Sequence, residues 1–351
     1  MTKCLVTQLN GACNDNSLYK VGEIRATYGK LNSPTNDTQF LTFSSIDDID
    51  LEITEGGYFV SPDNLDTSSG TKKHGNESIG VWISNTGGVL HILNKYALKS
   101  INVRANATVS FDVKDFLYCD NLEDIKSNTN SESFGDIASL GNLPKINSIS
   151  LYGNNLYGDI ASLGNLQLSG LQLSSNNIKG DIASLNIKGL KTLQIANTEI
   201  TGDISTLDMP NLEWFSVSKG IFGDISKFKC GDNTRVMSQD PSDMCDITGD
   251  LSECNVASVT GLYYNQAFTW GNGTKTKNFM ILNYGTPFAT DEDVDRMLIR
   301  QATLDFREGI VASNVPISIM CRKGTRTSAS DSAVATLKQR GLSIAINNIP
   351  Q

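Results

Sequence analysis

A Gly-Asp-Ile triplet that recurs along the middle of the chain constrains the fold more than any other feature. It begins at Gly135, Gly158, Gly180, Gly202 and Gly223, and a related Gly-Asp-Leu begins at Gly249. The first five copies are spaced by 21 to 23 residues. Such a period is the signature of a solenoid, in which one repeat buries its apolar face only by stacking on its neighbours.

The apolar positions keep the same register as the glycines. Each repeat has two apolar residues separated by one position, and period-two spacing puts both side chains on one face of a short strand. Asn154 and Asn176 follow these strands in two repeats, where we expect them to turn inward and satisfy backbone groups. Thr198 takes this position in the next repeat and would do so less completely.

This pattern resembles the leucine-rich-repeat family, Leu-x-x-Leu-x-Leu-x-x-Asn-x-Leu, continued by Gly-x-Ile. The resemblance implies a parallel β solenoid. The repeated glycine permits a tight bend or a positive φ, and the short return segment favours 3₁₀ turns over full helices. The aspartates of the triplets either accept hydrogen bonds from the N–H groups of their own turns or form a calcium ladder.

The residues between the strand anchors are predicted to form a small, polar and nearly uncharged concave face. This face could contact glycan hydroxyls or a protein partner, or be a solvated sheet surface. Its candidate binding residues are Tyr152, Gln172, Gln194 and Trp214, and its other members are Ser148, Ser150, Gly170, Ser174, Thr192, Ala196, Ser216 and Ser218.

The regions on either side of the repeats differ from them in pattern. Residues 1–112 have strand-like runs separated by turn residues, which predicts an antiparallel, sandwich-like β domain. The solenoid is assigned to residues 113–254. Residues 255–351 are predicted to be an α/β cap, with a Thr290-capped helix, a strand, a helix capped by Ser330 and a last strand. The fold class is thus mainly β with some α.

Charge and histidine content argue against several function classes. The chain has 29 basic and 38 acidic residues, a net charge of −9, which disfavours nucleic acid and anionic membranes as ligands. The two histidines, His74 in a polar loop and His91 in a strand, leave little room for a metal site or a catalytic triad. We therefore predict no cofactor and no metal.

A glycan hydrolase would need two carboxylates that face each other across a cleft. The acidic pairs Asp47 with Asp48 and Glu52 with Glu55 are expected on turns or strand surfaces, without an aromatic groove around them. The chain is therefore predicted not to be an enzyme.

Seven cysteines and the absence of an apolar signal segment favour a reducing compartment. The longest apolar stretches are far shorter than the ~20 residues of a membrane helix. The default expectation is buried thiols, while one disulfide or metal among Cys230, Cys245 and Cys254 stays open.

Three features together resemble virion appendage proteins, of fibre or tail-associated type, from tailed phages of Bacteroidales gut bacteria. They are residues 3–11 (Lys-Cys-Leu-Val-Thr-Gln-Leu-Asn-Gly) with 21–25 (Val-Gly-Glu-Ile-Arg), the Gly-Asp-Ile repeats, and residues 326–338. The resemblance implies assembly with other virion proteins in the host cytoplasm, no cofactor and no catalytic residues. The protein is expected to form a homo-oligomer and to bind a host-surface receptor or glycan. The alternative is a bacterial surface or secreted adhesin that binds through the concave face.

Overall fold

The computed structural model describes residues 24–28, 39–45, 49–53, 57–60, 65–66, 70–74, 78–83, 88–92, 94–103, 109–127, 132–153, 155–238, 245–261, 268–283, 288, 290–306, 315–319 and 325–351. The fold is mainly β, with parallel sheets and few helices, and is solenoid-like, as in leucine-rich repeats. The chain divides into two compact units, residues 1–146 and 147–351.

The first unit holds two groups of antiparallel strands. The first group runs in the order Val109–Ser110, Ile24–Tyr28, Gly88–Ile92, Ile49–Ile53 and Gly70–His74. The second runs in the order Leu98–Val103, Gln39–Ser45, Ser78–Ile83, Gly57–Val60 and Leu65–Asp66. The packing of the two groups as a sandwich stays a prediction.

Two details of the first unit bear on residues singled out above. His74 ends the strand Gly70–His74, so its predicted place in a loop is wrong. Glu52 lies in the strand Ile49–Ile53, whereas Asp47, Asp48 and Glu55 are outside the described residues.

Parallel pairing begins near the end of the first unit. The strand Asp124–Ser127 pairs in parallel with Leu98–Val103, and Phe134–Asp136 follows. The 3₁₀ helices of this unit are Lys95–Ala97, Val113–Phe116 and Ile137–Leu140. Asp112 caps Val113–Phe116 by accepting from the Lys114 N–H at 3.0 Å, as the aspartates of the triplets do. A repeat-like turn therefore begins at Asp112.

The second unit is built on two rows of parallel strands, each row pairing repeat to repeat. The inner row consists of Ser148–Leu151, Gly170–Gln172, Thr192–Gln194, Trp214–Ser216, Arg235–Met237, Ser258–Thr260 and Ile281–Asn283. The outer row consists of Asn155–Asp159, Asn177–Asp181, Glu199–Asp203, Gly220–Asp224, Asp246–Asp250 and Phe268–Thr269. The inner row thus continues beyond residue 254, where the sequence pattern placed the start of the cap.

Short 3₁₀ helices return the chain from the outer row to the inner row, as the sequence predicts. They are Ile160–Leu163, Ile182–Leu185, Ile204–Thr206, Ile225–Lys227 and Leu251–Glu253. The strands Asp208–Met209 and Lys229–Cys230 pair on this return side. The anchors of one repeat, Leu171, Leu173, Ile178, Ile182 and Leu185, are all fully buried. Stacking of such repeats supplies the core, because none can bury its apolar face alone.

The C-terminal region contains two α-helices. Helix α1 is Asp291–Thr303 and helix α2 is Asp331–Gln339, directly preceded by the 3₁₀ helix Ser328–Ser330. The strands Val315–Ile319 and Leu342–Ile346 pair in parallel, and Ile349–Pro350 adds an antiparallel partner. Among the residues described, no helix has the length and apolar character that crossing a membrane requires.

The two predicted helix caps have different outcomes. Thr290 caps α1, since its hydroxyl accepts from the Asp293 N–H at 3.2 Å. Ser330 does not cap α2 through its side chain, so that prediction is wrong. Its hydroxyl instead donates to the buried Asp295 at 2.5 Å. That carboxylate also accepts from the Thr327 N–H at 3.1 Å, which ties this segment to α1.

Helix α1 makes hydrogen bonds to backbone groups of residues 268–283, the last repeat of the solenoid. Arg296 Nε donates to the Trp270 carbonyl at 2.6 Å, and Arg300 Nη2 donates to the Thr276 carbonyl at 3.1 Å. The Met280 N–H donates to Gln301 Oε1 at 3.0 Å. These contacts pair backbone groups that an open solenoid end would leave exposed.

Candidate binding face

The side chains that alternate with the buried anchors of the inner row form two in-register columns, which we call the inner face. The first column is Ser148, Gly170, Thr192, Trp214, Arg235, Ser258 and Ile281. The second column is Ser150, Gln172, Gln194, Ser216, Met237, Thr260 and Asn283. Parallel strands about 4.8 Å apart bring equivalent positions of successive repeats side by side.

Three of the four candidate binding residues lie on the inner face. Gln172 and Gln194 are neighbours in the second column, whereas Trp214 lies in the first column on the next strand, directly beside Thr192. Gln172 Oε1 accepts a hydrogen bond from Ser150 Oγ at 2.9 Å. Tyr152 is half-buried in the turn that follows the strand Ser148–Leu151, so it lies beyond the two columns.

Four other residues predicted on this face are fully buried: Ser174, Ala196, Ser216 and Ser218. Ser174 and Ala196 come after the last strand residue, just before Ser175 and Asn197, whose φ values of 60° and 54° make a left-handed turn. The turn folds the preceding residue inward. The prediction that these side chains are available for binding is therefore wrong.

Ser218 is buried at the position that Ser174 and Ala196 occupy in the two preceding repeats. Its hydroxyl lies 3.1 Å from both the Thr198 and the Ile200 carbonyl oxygens and accepts from the Gly220 N–H at 3.5 Å. Ser218 thus bonds to the backbone of the preceding repeat, as the inward asparagine does elsewhere.

Asn176 has the inward role that the pattern predicts. Its Oδ1 accepts from the Leu156 N–H at 3.0 Å, and its Nδ2 donates to the Leu151 and Leu173 carbonyls at 2.7 and 3.0 Å. The Thr198 hydroxyl instead bonds within its own repeat, where it donates to the Ile195 carbonyl and accepts from the Ile200 N–H. Asn154 is outside the described residues.

The repeated glycines have the predicted positive φ. The values are 119°, 121°, 114°, 135° and 115° for Gly135, Gly158, Gly180, Gly202 and Gly223. The aspartate after each glycine accepts from the N–H two residues on, at 2.8 to 2.9 Å. The aspartate column therefore caps its own turns. Within the described residues no three metal-ligating side chains converge.

The polar chemistry of the inner face is concentrated around Trp214. Trp214 Nε1 and the hydroxyl of its strand neighbour Ser216 are enclosed and have no hydrogen-bond partner among the described residues. Arg235 is exposed beside Trp214 and is the one charged side chain in the two columns. The half-buried Thr192, Gln172 and Gln194 supply accessible hydroxyl and amide groups, so this surface can bond to a partner that stacks on the ring of Trp214.

The repeat pattern of the sequence does not predict the part of the face formed by Arg235, Met237, Thr260 and Asn283. Arg235 and Met237 fall where the spacing between triplets lengthens to 26 residues, from Gly223 to Gly249, and Thr260 and Asn283 follow the last triplet. The continued row is marked by its buried strand centres Val236, Val259 and Leu282.

The structure describes four cysteines, Cys119, Cys230, Cys245 and Cys254. Cys119, Cys245 and Cys254 are buried as expected, whereas Cys230 is half-buried. Desolvation by burial raises the pKa of the Cys119 thiol to about 12, so this side chain is neutral at physiological pH.

No protein-family model matches this sequence, and no curated protein matches it. Solved structures that are similar include the crystal structure of a TDR receptor, with a TM-score of 0.45 and 16% sequence identity. The match covers 72% of this chain and 47% of the receptor chain, so this protein spans about half the length of that structure.

Proposed function

We propose that this protein is a non-enzymatic structural protein of a phage virion, a head or tail fibre or appendage protein. The resemblance of residues 3–11, 21–25 and 326–338 to virion appendage proteins supports this proposal, together with the Gly-Asp-Ile repeats that separate them. A solenoid suits an appendage because each repeat contacts only its neighbours and the stack presents an extended surface.

The observation that carries the binding role is the chemistry of the inner face. Gln172 and Gln194 are neighbours in the second column, and Thr192, Trp214 and Arg235 are neighbours in the first column of the same face. Aromatic and arginine side chains are enriched among residues that dominate binding energy. Amide and hydroxyl groups match the hydrogen-bonding groups of sugars and of peptide backbones. The proposed ligand is a host-surface receptor or glycan.

The proposal also covers the division of the chain into three regions. We assign residues 1–112 to a sandwich-like β domain that docks on another virion protein, and residues 113–254 to the leucine-rich-repeat-like solenoid. Residues 255–351 are assigned to the α/β cap, but the inner row of the solenoid continues into them as far as Asn283. Arg296, Arg300 and Gln301 of the cap pair the backbone of this last repeat. The virion carries the protein as a homo-oligomer assembled in the host cytoplasm.

The test is mass spectrometry of density-purified particles from the culture that carries the gene. The proposal predicts that the chain copurifies at a fixed ratio to the major capsid protein, and the ratio distinguishes head from tail attachment. Absence from the particles, with recovery in the cell envelope or the medium, would overturn it.

The second candidate function is a bacterial surface or secreted adhesin, and the same inner face favours it. An adhesin would use Trp214 and its neighbours on a glycan or protein ligand without any virion partner. Fractionation of the culture separates the two proposals, since only the adhesin is found in the envelope of cells that release no particles.

A further inference from the structure

We propose that a cavity between α1 and the loop of residues 270–274 binds a small sugar acid, through its carboxylate or phosphate group. The cavity has a volume of about 340 Å³ and shares no residue with the inner face. Its walls are Trp270, Gly271, Asn272, Gly273, Thr274, Arg296, Ile299, Arg300 and Thr303. This volume is within the range of pockets that hold small molecules. The inference is independent of the proposed virion role.

The positive charge of the cavity comes from two arginines one helical turn apart. Arg296 and Arg300 are at positions i and i+4 of α1, which places them on the same face. Like charges at this spacing destabilise a helix. Asp293 pairs with Arg296 at 2.6 Å, but Arg300 has no ion pair among the residues described. In a chain of net charge −9, an anion between the two guanidinium groups would remove this repulsion.

Arg300 also retains hydrogen-bonding capacity. Its Nη2 donates to the Thr276 carbonyl at 3.1 Å, while its Nε is enclosed and has no partner within the described part of the chain. An unsatisfied buried donor is costly. A planar guanidinium offers paired N–H groups that match the two oxygens of a carboxylate or phosphate. A small rotation of Arg300 into the cavity would satisfy its Nε with such a group.

The loop opposite the arginines is held in place by the preceding turn. The Gly271 N–H donates to Asp250 Oδ1 and the Gly273 N–H donates to Ser252 Oγ, both at 2.9 Å. Arg296 Nε fixes the Trp270 carbonyl from the other side, at 2.6 Å. The loop therefore needs no ordering when a ligand enters, and a preorganised site binds more tightly than one that must be ordered.

The rim of the cavity suits a sugar ring more than a bare ion. Asn272 and Thr274 are exposed and can bond to hydroxyl groups, while Ile299 is 45% exposed and offers an apolar surface for the carbon face of a ring. A ligand whose acid group is directed at Arg300 and whose ring lies between Ile299 and the loop would make an ion pair, hydrogen bonds and an apolar contact.

The test is isothermal titration calorimetry of the full chain with D-glucuronate, D-glucose 6-phosphate and D-glucose. We expect saturable binding of at least one of the two acids and at least tenfold weaker binding of glucose. The comparison of the two acids distinguishes a carboxylate ligand from a phosphate ligand. Arg300→Gln should weaken binding of the acid at least tenfold. Lys338→Gln, which removes one exposed positive charge from α2, should leave it unchanged.

Three results would overturn the inference: equal affinity for glucose and the acids, no binding of either acid at millimolar concentration, or unchanged binding by Arg300→Gln. Circular dichroism checks that each variant is folded. If Arg300→Gln does not fold, Arg300→Lys keeps the charge and loses the planar fork. It should still weaken binding severalfold, and unchanged binding by this variant would contradict the proposal.

Discussion

Gly202 and Asp181 lie in contact across the step from one repeat to the next. A Cβ atom on Gly202 would stand 2.5 Å from Asp181 Oδ1. The same oxygen accepts from the Ala183 N–H at 2.9 Å, so the carboxylate cannot withdraw without uncapping its own turn. The aspartate of each triplet therefore constrains the glycine of the next repeat, which explains why the two residues recur together.

Gly202→Ala should destabilise the protein, both because φ is +135° and because the new methyl group would displace Asp181. The backbone strain alone is worth about 1–3 kcal/mol. Urea unfolding measures the loss. Gly189→Ala is the matched control, since its Cβ would meet only the Leu168 carbonyl at an ordinary 3.6 Å. Equal stability of the two variants would contradict the close contact between Asp181 and Gly202.

Asn176→Ala should destabilise the protein because it leaves buried backbone groups without hydrogen-bond partners. The Leu156 N–H and the Leu151 carbonyl lose their partners, at about 1–3 kcal/mol for each group left unsatisfied. Asn177→Ala changes the exposed neighbouring asparagine and should alter the unfolding free energy by about 0.5 kcal/mol or less. Thermal and urea unfolding of both variants test this. A similar small effect in both would show that Asn176 has no inward role.

Asp208 should titrate at a lower pH than a free aspartate. The hydrogen bond from Lys188 Nζ, at 2.6 Å, is the main cause that lowers the pKa of this carboxyl. Because the folded pKa is the lower one, the ionised carboxylate favours the folded state above the unfolded pKa, and this contribution is lost as the pH falls through the folded pKa.

Carbon-detected NMR titration of the Asp208 carboxyl measures that pKa. Lys188→Gln should move the midpoint upward, toward the ordinary aspartate value, whereas Lys179→Gln on the outer row should not. An unchanged midpoint in Lys188→Gln would mean that the ion pair is absent in solution.

Trp214→Ala should weaken binding to host cells without unfolding the solenoid. Loss of a central aromatic side chain from a binding surface typically costs 2 kcal/mol or more, which is over tenfold in affinity. Binding of the fluorescently labelled protein, followed by flow cytometry, measures this. Phe222→Ala is the control, since it removes a more exposed aromatic side chain, 46% exposed, from the outer row. If Phe222→Ala loses binding and Trp214→Ala keeps it, the binding surface is on the outer row and the proposal is contradicted.

The periodic part of the sequence was sufficient to predict the core of the fold. Leu173 and Asn176 were placed inward from spacing alone, whereas for the aspartates spacing left open both the capping of their own turns, which the structure shows, and a calcium ladder. Spacing works there because every repeat must offer the same groups to its neighbours.

The prediction fails where a repeat departs from the period. Phe111 replaces the glycine before Asp112, so the first turn of this type is not visible as a triplet. The roles of Arg296 and Arg300 follow from the packing of α1 on the last repeat, which joins residues more than 20 positions apart and leaves no local pattern.

The register of the inner row is the central claim, because the inner face and the contacts made by Asn176 both follow from it. Leu173 is fully buried, whereas Gln172 beside it faces outward. Comparison of Leu173→Asp with Gln172→Asp by urea unfolding tests this directly. The account predicts that Leu173→Asp abolishes cooperative unfolding, since it buries an unpaired charge, and that Gln172→Asp unfolds cooperatively near the wild-type midpoint. A soluble, cooperatively unfolding Leu173→Asp variant would contradict the register.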